Sequence, residues 1–283
     1  MSWVYLDGEL VAAESAALPA SDRGLLYGYG LFETMRAYGG RVFRLAQHYR
    51  RLQVGADVLA IPVSLTLAAL AEAAGATLAR NGLAGARLRL TVTAGPDGGR
   101  PSLLLTAREV TEYPPELRRR GLAAVVSAVR RNETSPLAGV KSLNCLDNVL
   151  AREDAHRRGF GEAILLNTRG FIAEGAASNV FLVRDGKLLT PGIEAGALPG
   201  ITRRAVLELA AEERLVAEEA DLSPGDLAAA DEAFLTGSVM EVMPLVGVDG
   251  EPVGTGRPGP LTQRLAEGYR ALVARETSTA TAV

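Results

Sequence analysis

One lysine stands where an amine would be useful for chemistry. Lys141 follows the turn-forming Gly139 and precedes a stretch with helical spacing, in the segment Leu137-Ala138-Gly139-Val140-Lys141-Ser142-Leu143-Asn144. Apolar neighbours at such a junction desolvate the side chain and favour the neutral amine, a nucleophile that condenses with carbonyl groups. A single lysine before a helix is most often an exposed surface residue. The hypothesis therefore depends on what else the sequence contains.

Five further segments carry side chains suited to the same chemistry. They combine glycines at turns with carboxylate, guanidinium, hydroxyl and amide groups. In chain order they are Asp22-Arg23-Gly24 with Gly28-Tyr29-Gly30-Leu31-Phe32-Glu33-Thr34, then His48-Tyr49-Arg50-Arg51-Leu52, then Glu174-Gly175-Ala176-Ala177-Ser178-Asn179-Val180-Phe181, then Leu198-Pro199-Gly200-Ile201-Thr202-Arg203, then Thr236-Gly237-Ser238-Val239-Met240-Glu241-Val242-Met243-Pro244. Each is a weak signal alone, but the ordered set is specific.

The set resembles the fold-type IV enzymes that use pyridoxal 5′-phosphate (PLP), the class IV aminotransferases, over nearly the whole chain. This family includes branched-chain and D-amino-acid aminotransferases, R-selective amine transaminases and 4-amino-4-deoxychorismate lyase. The resemblance implies that Lys141 holds PLP as a Schiff base and, once released, moves the proton between the substrate and the cofactor. It also implies that Glu174 faces the pyridine nitrogen, where a carboxylate keeps that nitrogen protonated.

The resemblance assigns the cofactor phosphate to Arg51, to Ile201 and Thr202, and to Ser238. Gly200-Ile201-Thr202 opens a predicted helix, whose free N–H groups and positive dipole end suit a phosphate. Thr202 adds a hydroxyl or serves as a simple N-cap, and Ile201 contributes its backbone only. Ser178 and Asn179 follow Glu174 closely and either tune the hydrogen bonds of the ring or form a turn.

Two departures from the family pattern concern the substrate carboxylate and the substrate class. Cys145 stands where branched-chain enzymes usually have a tyrosine, which argues against a straightforward branched-chain assignment. Ala94-Gly95 lacks the arginine that D-amino-acid enzymes place before this glycine. Arg89 or Arg36 is the candidate replacement, because arginine binds carboxylates with two hydrogen bonds, although both residues also suit a strand surface.

A third departure is aromatic. Tyr29 stands where the family commonly has aspartate between two glycines. Its ring either lines the substrate pocket together with Tyr27 and Phe32 or packs at a domain or subunit contact. The apolar and aromatic segment from Leu25 to Tyr29 and the resemblance together predict a homodimer.

Three functions remain open at this stage. The leading hypothesis is an aminotransferase that moves an amino group between an amino acid or amine donor and a 2-oxo acid acceptor. The alternative is 4-amino-4-deoxychorismate lyase, which eliminates pyruvate to give 4-aminobenzoate and which the segments around Phe32 and Gly139 also resemble. A non-catalytic PLP carrier is the third, and it would require an impaired Lys141 or Glu174, whereas both are present.

The elements that position these residues are predicted from periodicity and turn signals. Hairpins are expected at Asp7-Gly8 and at Gly39-Gly40, with helices over residues 45–59 and 65–80. Later helices are expected from Leu143 to Arg158, from Ile201 to Arg214 and from Leu261 to Arg275, alternating with strands. The fold class is α/β in the sense of a two-domain α+β chain. A smaller N-terminal domain covers residues 1–115 and a larger PLP-binding domain covers 116–283, divided at Tyr113-Pro114-Pro115.

Composition excludes other classes of function. The 283 residues are 48% hydrophobic and 22% charged, with a net charge of −3, which gives no support to nucleic-acid or membrane-surface binding. No apolar run approaches the roughly 20 residues that cross a bilayer, and no signal peptide pattern is present, so a cytoplasmic location is expected. One cysteine and two histidines, His48 and His156, offer no cluster with metal-ligand spacing. A metal site is therefore not expected.

Overall fold

The computed structural model describes residues 2–111 and 113–278. These residues form two compact units. The first lies within Met1–Thr111, Val140–Asn144 and Val273–Val283, and the second within Glu112–Gly139 and Cys145–Leu272. The division predicted from the sequence is a single cut along the chain, whereas this grouping returns two later segments to the first unit. The predicted mixture of helices and strands is confirmed.

The first unit is built on a twisted antiparallel sheet. Its strands are β1 (Trp3–Leu6), β2 (Glu9–Ala12), β3 (Gly30–Tyr38), β4 (Arg41–Val42), β5 (Ala86–Thr93) and β6 (Leu103–Glu109), and its helices are α1 (Arg23–Tyr27), α2 (Leu45–Val58) and α3 (Leu67–Arg80). The six strands are arranged in the order β2-β1-β6-β5-β3-β4. Both predicted hairpins are confirmed, and Asp7 and Gly8 adopt positive φ angles of 50° and 111° at the first turn.

Alternation along β3 separates the two faces of this sheet. Leu31 and Met35 are buried in the core of the first unit, where residues of α2 and α3 also pack. Phe32 and Arg36 point to the opposite face because side chains alternate along a strand. Strand β3 therefore places Leu31 and Met35 in the core and the candidate substrate residues Phe32 and Arg36 on the other side.

The second unit contains a larger mixed sheet. Its strands are β7 (Leu122–Arg131), β8 (Glu162–Asn167), β9 (Ile172–Gly175), β10 (Asn179–Arg184), β11 (Lys187–Thr190), β12 (Ala217–Glu219), β13 (Glu232–Gly237), β14 (Glu241–Val248) and β15 (Glu251–Pro252), and its helices are α4 (Pro115–Arg120), α5 (Leu146–Arg157), α6 (Ile201–Glu212), α7 (Pro224–Ala228) and most of α8 (Pro260–Thr277). The sheet order is β12-β11-β10-β13-β14-β7-β8-β9, with β15 paired to β14. Every residue of β8 is buried, as expected of a strand covered on both faces.

The start of α5 differs from the prediction. The helix begins at Leu146 instead of Leu143. Ser142 forms an isolated antiparallel bridge with Leu31, and the amide of Leu143 donates to the carbonyl of Gly30 at 2.8 Å. The backbone that pairs with a strand is extended, and extended φ and ψ angles are incompatible with a helix, so the helix starts later. None of the helices over residues 2–111 and 113–278 is both long and apolar enough to cross a membrane.

Candidate active site

Lys141 lies beside the start of β3. Its carbonyl accepts a hydrogen bond from the amide of Phe32 at 2.9 Å, and its side chain is half-buried. The Nζ atom lies 4.5 Å from the centroid of the Phe32 ring. An aromatic face at this distance shields the amine from water on one side and attracts its charged form. The structure thus fixes the lysine backbone to β3 and brings its amine against Phe32.

Arg51 belongs to a buried cluster of charges in the first unit. Its Nε donates to Oε1 of Glu33 at 2.8 Å, and its Nη2 donates to Oε2 at 2.6 Å. His48 lies one helical turn earlier on α2, and its Nδ1 is 2.7 Å from the same Oε2 atom. Glu33 and His48 are exposed by only 1% and 2%. Glu33 therefore holds the arginine in a fixed orientation and is itself held by His48.

The protonation states of this cluster follow from its contacts. Burial raises the pKa of Glu33, but the charge of Arg51 and hydrogen bonds from Arg51 and His48 outweigh it and lower that pKa to about 2. Burial lowers the pKa of His48, with the Arg51 and Lys141 charges acting in the same direction and Glu33 opposing them. An ionised carboxylate only accepts hydrogen bonds, so Nδ1 of His48 is the donor.

The candidate substrate residues divide into two groups. The guanidinium of Arg89 lies 3.9 Å from the Phe32 centroid, and Arg36 lies on the same face of β3 as Phe32, with its guanidinium 4.7 Å from the Tyr38 ring. The structure therefore brings Phe32, Arg89 and Lys141 together and places Arg36 further along the same face. The register pairs Thr34 with Arg89, which explains how a neighbouring strand reaches Phe32.

The two tyrosines are placed differently. Tyr29 packs against the core, and its hydroxyl donates to the carbonyl of Leu59 at 2.6 Å. Tyr27, on α1, is 68% exposed. These contacts of Tyr29 lie within the first unit, so both roles expected of its ring, in a substrate pocket or at a domain or subunit contact, stay predictions.

Glu174, the residue expected to face the cofactor ring nitrogen, lies in the second unit. It lies on β9 opposite Leu165 and is 6% exposed. Its Oε2 accepts a hydrogen bond from the amide of Leu198 at 2.8 Å, and its Oε1 lies 3.7 Å from Nε of Arg131. An amide and a guanidinium both favour the ionised carboxylate. Arg131 was not identified from the sequence, because nothing in its local pattern distinguishes it from Arg130.

The turn after Glu174 is held by side chains from other strands. Ser178 Oγ donates to Oε2 of Glu162 at 2.9 Å, and the amide of Ala177 donates to the same atom at 3.3 Å. Burial raises the pKa of Glu162 despite these hydrogen bonds. Asn179 Nδ2 donates to the carbonyl of Leu198 at 2.9 Å. Ser178 and Asn179 thus support the turn, and their predicted role toward the cofactor ring stays a prediction.

The N-terminus of α6 has the form expected of an anion site. Gly200 is the N-cap, and no side chain caps the helix among the residues described. A Cβ at Gly200 would overlap Oδ1 of Asn179, so only glycine allows this close approach. Thr202 is buried, with its hydroxyl 3.5 Å from the hydroxyl of Tyr269. Ser238 is half-buried in the turn between β13 and β14.

These groups fit PLP. The cofactor needs a nucleophilic amine for its aldehyde, cationic and N–H groups for its phosphate, and a carboxylate for its ring nitrogen. Within the first unit, Lys141 offers such an amine and Arg51 such a cation. Within the second unit, the start of α6 offers free N–H groups and Glu174 offers a buried carboxylate. Over residues 2–111 and 113–278, no group of three or more His, Cys, Asp or Glu side chains is arranged for a metal ion.

The fold and these side chains define a PLP-dependent transferase. Residues 30–248 match the family model described as "Amino-transferase class IV", which is most of the chain. The chain belongs to the class IV aminotransferase family, has the α/β fold of the fold-type IV enzymes, and is a PLP-dependent aminotransferase.

Relatives with known names agree with this assignment. A putative branched-chain-amino-acid aminotransferase of Methanocaldococcus jannaschii is 38% identical over 276 residues, covering 94% of this chain and 95% of that protein. The branched-chain-amino-acid aminotransferase of Salmonella typhimurium is 36% identical over 290 residues, covering 97% and 94%.

Solved structures show the same similarity. The branched-chain amino acid aminotransferase of Escherichia coli superposes with a TM-score of 0.92 at 34% identity, covering 99% of this chain and 97% of that one. A second branched-chain amino acid aminotransferase, solved with pyridoxamine 5′-phosphate, gives 0.91 at 29% identity, covering 97% and 95%. These relatives are named aminotransferases, so the comparisons favour that activity over the lyase alternative.

Proposed function

We propose that this enzyme transfers the amino group of a branched-chain amino acid to a 2-oxo acid through PLP held on Lys141. The similarity to branched-chain enzymes over almost the whole chain carries the substrate assignment. An amino acid donor and a 2-oxo acid acceptor follow from the aminotransferase class itself. Cys145, where branched-chain enzymes usually carry a tyrosine, is the observation against it; here it is the half-buried N-cap of α5.

The placement of Lys141 Nζ against Phe32 is the observation that supports the catalytic assignment. When bound, PLP supplies an electron sink that acidifies the Cα proton of the substrate. Nζ of Lys141 would hold the cofactor and, once released by the substrate amine, would be the group that accepts the Cα proton, because a displaced lysine stays nearby. The carboxylate of Glu174 would favour a protonated ring nitrogen.

The phosphate is assigned to four residues. Arg51 supplies a guanidinium whose orientation Glu33 fixes. Ile201 contributes its amide at the start of α6, and Thr202 and Ser238 contribute hydroxyls. Positive charge and N–H donors of this kind neutralise a dianion without a metal ion.

The substrate side is assigned to the face of β3 that carries Phe32 and Arg36. Arg89 and Arg36 are the candidates for the substrate carboxylate, since a guanidinium binds a carboxylate through two parallel hydrogen bonds. Phe32, with Tyr27 and Tyr29, is the proposed aromatic wall of the pocket. Phe32 has the strongest support, because its ring already contacts both Arg89 and Lys141.

A half-reaction measured by absorbance tests the function. Leucine, isoleucine or valine added to the holoenzyme should convert the aldehyde form of the cofactor to the amine form, and a 2-oxo acid should restore the aldehyde form. Lys141→Ala should abolish both the conversion and the borohydride-reducible attachment of the cofactor. If aminodeoxychorismate yields pyruvate and 4-aminobenzoate while no amino donor produces the amine form, the lyase is correct and this proposal is wrong.

A homodimer is also proposed. Helix α1 leaves Leu25 and Leu26 exposed by 70% and 53%, next to the exposed Tyr27, and monomers rarely leave such neighbours in water. Light scattering of the active enzyme should give twice the chain mass, and a fully active monomer would contradict it. The cytoplasmic location stays a prediction.

A further inference from the structure

Arg131 contacts the carboxylate proposed to face the cofactor ring. Its Nε lies 3.7 Å from Oε1 of Glu174, and the two side chains are 19% and 7% exposed. We propose that Arg131 is a positioning residue that orients Glu174 and keeps its carboxylate ionised for the ring nitrogen of PLP. This inference rests on the role proposed above for Glu174.

Arg131 is itself held by three segments of the second unit. It ends β7, where its backbone pairs with Asn167 of β8. Nε donates to the carbonyl of Gly196 at 3.2 Å, and Nη1 donates to Oδ1 of Asn148 at 3.4 Å. The contact to Glu174 is longer than a hydrogen bond, so its effect is electrostatic. These contacts hold the Arg131 guanidinium in one orientation. Its positive charge therefore stays beside the carboxylate of Glu174.

Asn148 links the arginine to the turn that carries Glu174. Its Nδ2 donates to the carbonyl of Ala176 at 3.0 Å, while its Oδ1 accepts from Arg131. The amide therefore joins α5, β7 and the turn after β9 through one side chain. Displacing Arg131 would move its charge away from Glu174. It would also break the hydrogen bond that Arg131 donates to the Asn148 side chain.

The segment before α6 completes the arrangement. Gly196 has a φ of 95°, and a Cβ there would lie 3.0 Å from Cγ of Arg131. A glycine at this position therefore leaves room for the arginine side chain. Asn167 Nδ2 donates to the carbonyl of the preceding Ala195 at 3.3 Å. The same segment then supplies the Leu198 amide to Glu174. Arg131 therefore acts on Glu174 directly through its charge and indirectly through the backbone that binds the other carboxylate oxygen.

The burial of Glu174 explains why this position needs a cation. Burial disfavours an ionised carboxylate, because charge is less well solvated inside a protein than in water. A neutral Glu174 would no longer hold a proton on the ring nitrogen. The Leu198 amide and the Arg131 guanidinium oppose the effect of burial, and of these two only the guanidinium carries a full charge.

The test compares Arg131→Gln with Arg131→Lys and with Arg130→Gln in the holoenzyme. Arg130 is the matched control, since it precedes Arg131 on β7, is exposed, and donates to the carbonyl of Ser127 at 3.1 Å. Three quantities are measured: the absorption spectrum of bound PLP against pH, the dissociation constant of PLP, and kcat with KM for the donor.

Arg131→Gln should shift the pH titration of the cofactor spectrum and lower kcat by about tenfold or more, with a much smaller change in KM, because the lost interaction acts on the reacting ring and not on donor binding. Arg131→Lys should recover part of both effects, since it restores the charge but not the paired contacts. Arg130→Gln should match the wild type.

Two results would overturn the proposal. A spectrum and kcat unchanged in Arg131→Gln would show that the guanidinium does not act on Glu174, and a lower melting temperature alone would assign Arg131 a merely structural role. If Arg131→Gln does not fold, Arg131→Lys decides: a partial shift of the cofactor titration supports the proposal, and a titration and kcat identical to those of the wild type contradict it. Glu174→Gln is measured in parallel: if it leaves the spectrum unchanged, the role of Glu174 fails, whereas a shift in Glu174→Gln without one in the Arg131 variants removes Arg131 alone.

Discussion

Glu33 receives two hydrogen bonds from the guanidinium of Arg51, at 2.8 Å and 2.6 Å, inside the first unit. The pairing is bidentate, which is the strongest geometry available to an arginine and a carboxylate. Glu33 lies on β3 on the same face as Leu31 and Met35, so a charged residue occupies a position in the core pattern. The cost of burying it is offset by Arg51 and His48, and the orientation of Arg51 follows from this pairing.

Replacing Glu33 with Gln should destabilise the enzyme without PLP. The change removes the buried charge that pairs with the partly buried Arg51, and breaking a buried pair costs up to about 3–5 kcal/mol. Saturating PLP should recover part of the loss, because its phosphate brings negative charge to Arg51. Urea unfolding with and without PLP measures both effects, and Glu9→Gln, at an exposed position on β2, is the control. Equal stabilities of Glu33→Gln and wild type would contradict the pairing.

Acid should weaken the native state through the same carboxylate. The pKa of Glu33 is lowered from 4.5 to about 2, so below pH 4.5 the unfolded chain takes up a proton that the native chain does not. The contribution of Glu33 to the free energy of unfolding is therefore complete above pH 4.5 and is lost as the pH falls toward about 2. The difference between its unfolded and native pKa values corresponds to about 3 kcal/mol. Unfolding of wild type and Glu33→Gln from pH 6 to pH 3 should show their difference shrinking. A constant difference would mean that Glu33 does not titrate abnormally.

Glu162 should show the opposite dependence on pH. Burial raises its pKa, so the native chain keeps a proton that the unfolded chain loses above pH 4.5, and stability falls as the pH rises through the native value. Glu162→Gln keeps an acceptor oxygen for Ser178 and cannot ionise. Its stability relative to wild type should therefore increase from pH 4 to pH 8 in chemical unfolding. Glu212→Gln, at an exposed position on α6, is the control substitution, and a flat difference for Glu162→Gln would refute the effect of burial.

Two glycine substitutions should have opposite effects. Gly200→Ala places a Cβ against Oδ1 of Asn179, whose amide is held by its hydrogen bond to Leu198, and such overpacking costs about 1–3 kcal/mol. Because Gly200 caps α6, affinity for PLP should also fall. Gly75→Ala lies within α3 with nothing within 4 Å and should stabilise by about 0.5–1 kcal/mol. Calorimetry and PLP titration of both variants test these effects. Unchanged stability and PLP affinity in Gly200→Ala would show that Asn179 moves aside easily.

The sequence alone determined the local elements and the family. Apolar spacing predicted a helix over residues 45–59, and α2 covers Leu45–Val58. Turn residues located both hairpins, because Asp-Gly and Gly-Gly pairs adopt the backbone angles that tight turns require. The ordered motifs around Lys141 and Glu174 led to the PLP enzymes, and the match over residues 30–248 confirms that family. All of these signals lie within short stretches of chain.

The tertiary structure alone decided which side chains support these motifs. Glu33 and His48 stood within quoted motifs, yet the cluster that they form with Arg51 depends on how α2 packs against β3. Arg131 and Asn148 carried no local signal, since their partners Glu174, Gly196 and Ala176 lie far along the chain and are joined by strand register. The late start of α5 has the same origin in the bridge between Leu31 and Ser142. Spacing reports periodicity along one element, whereas charge pairing and hydrogen bonding across elements depend on distances that only the folded chain sets.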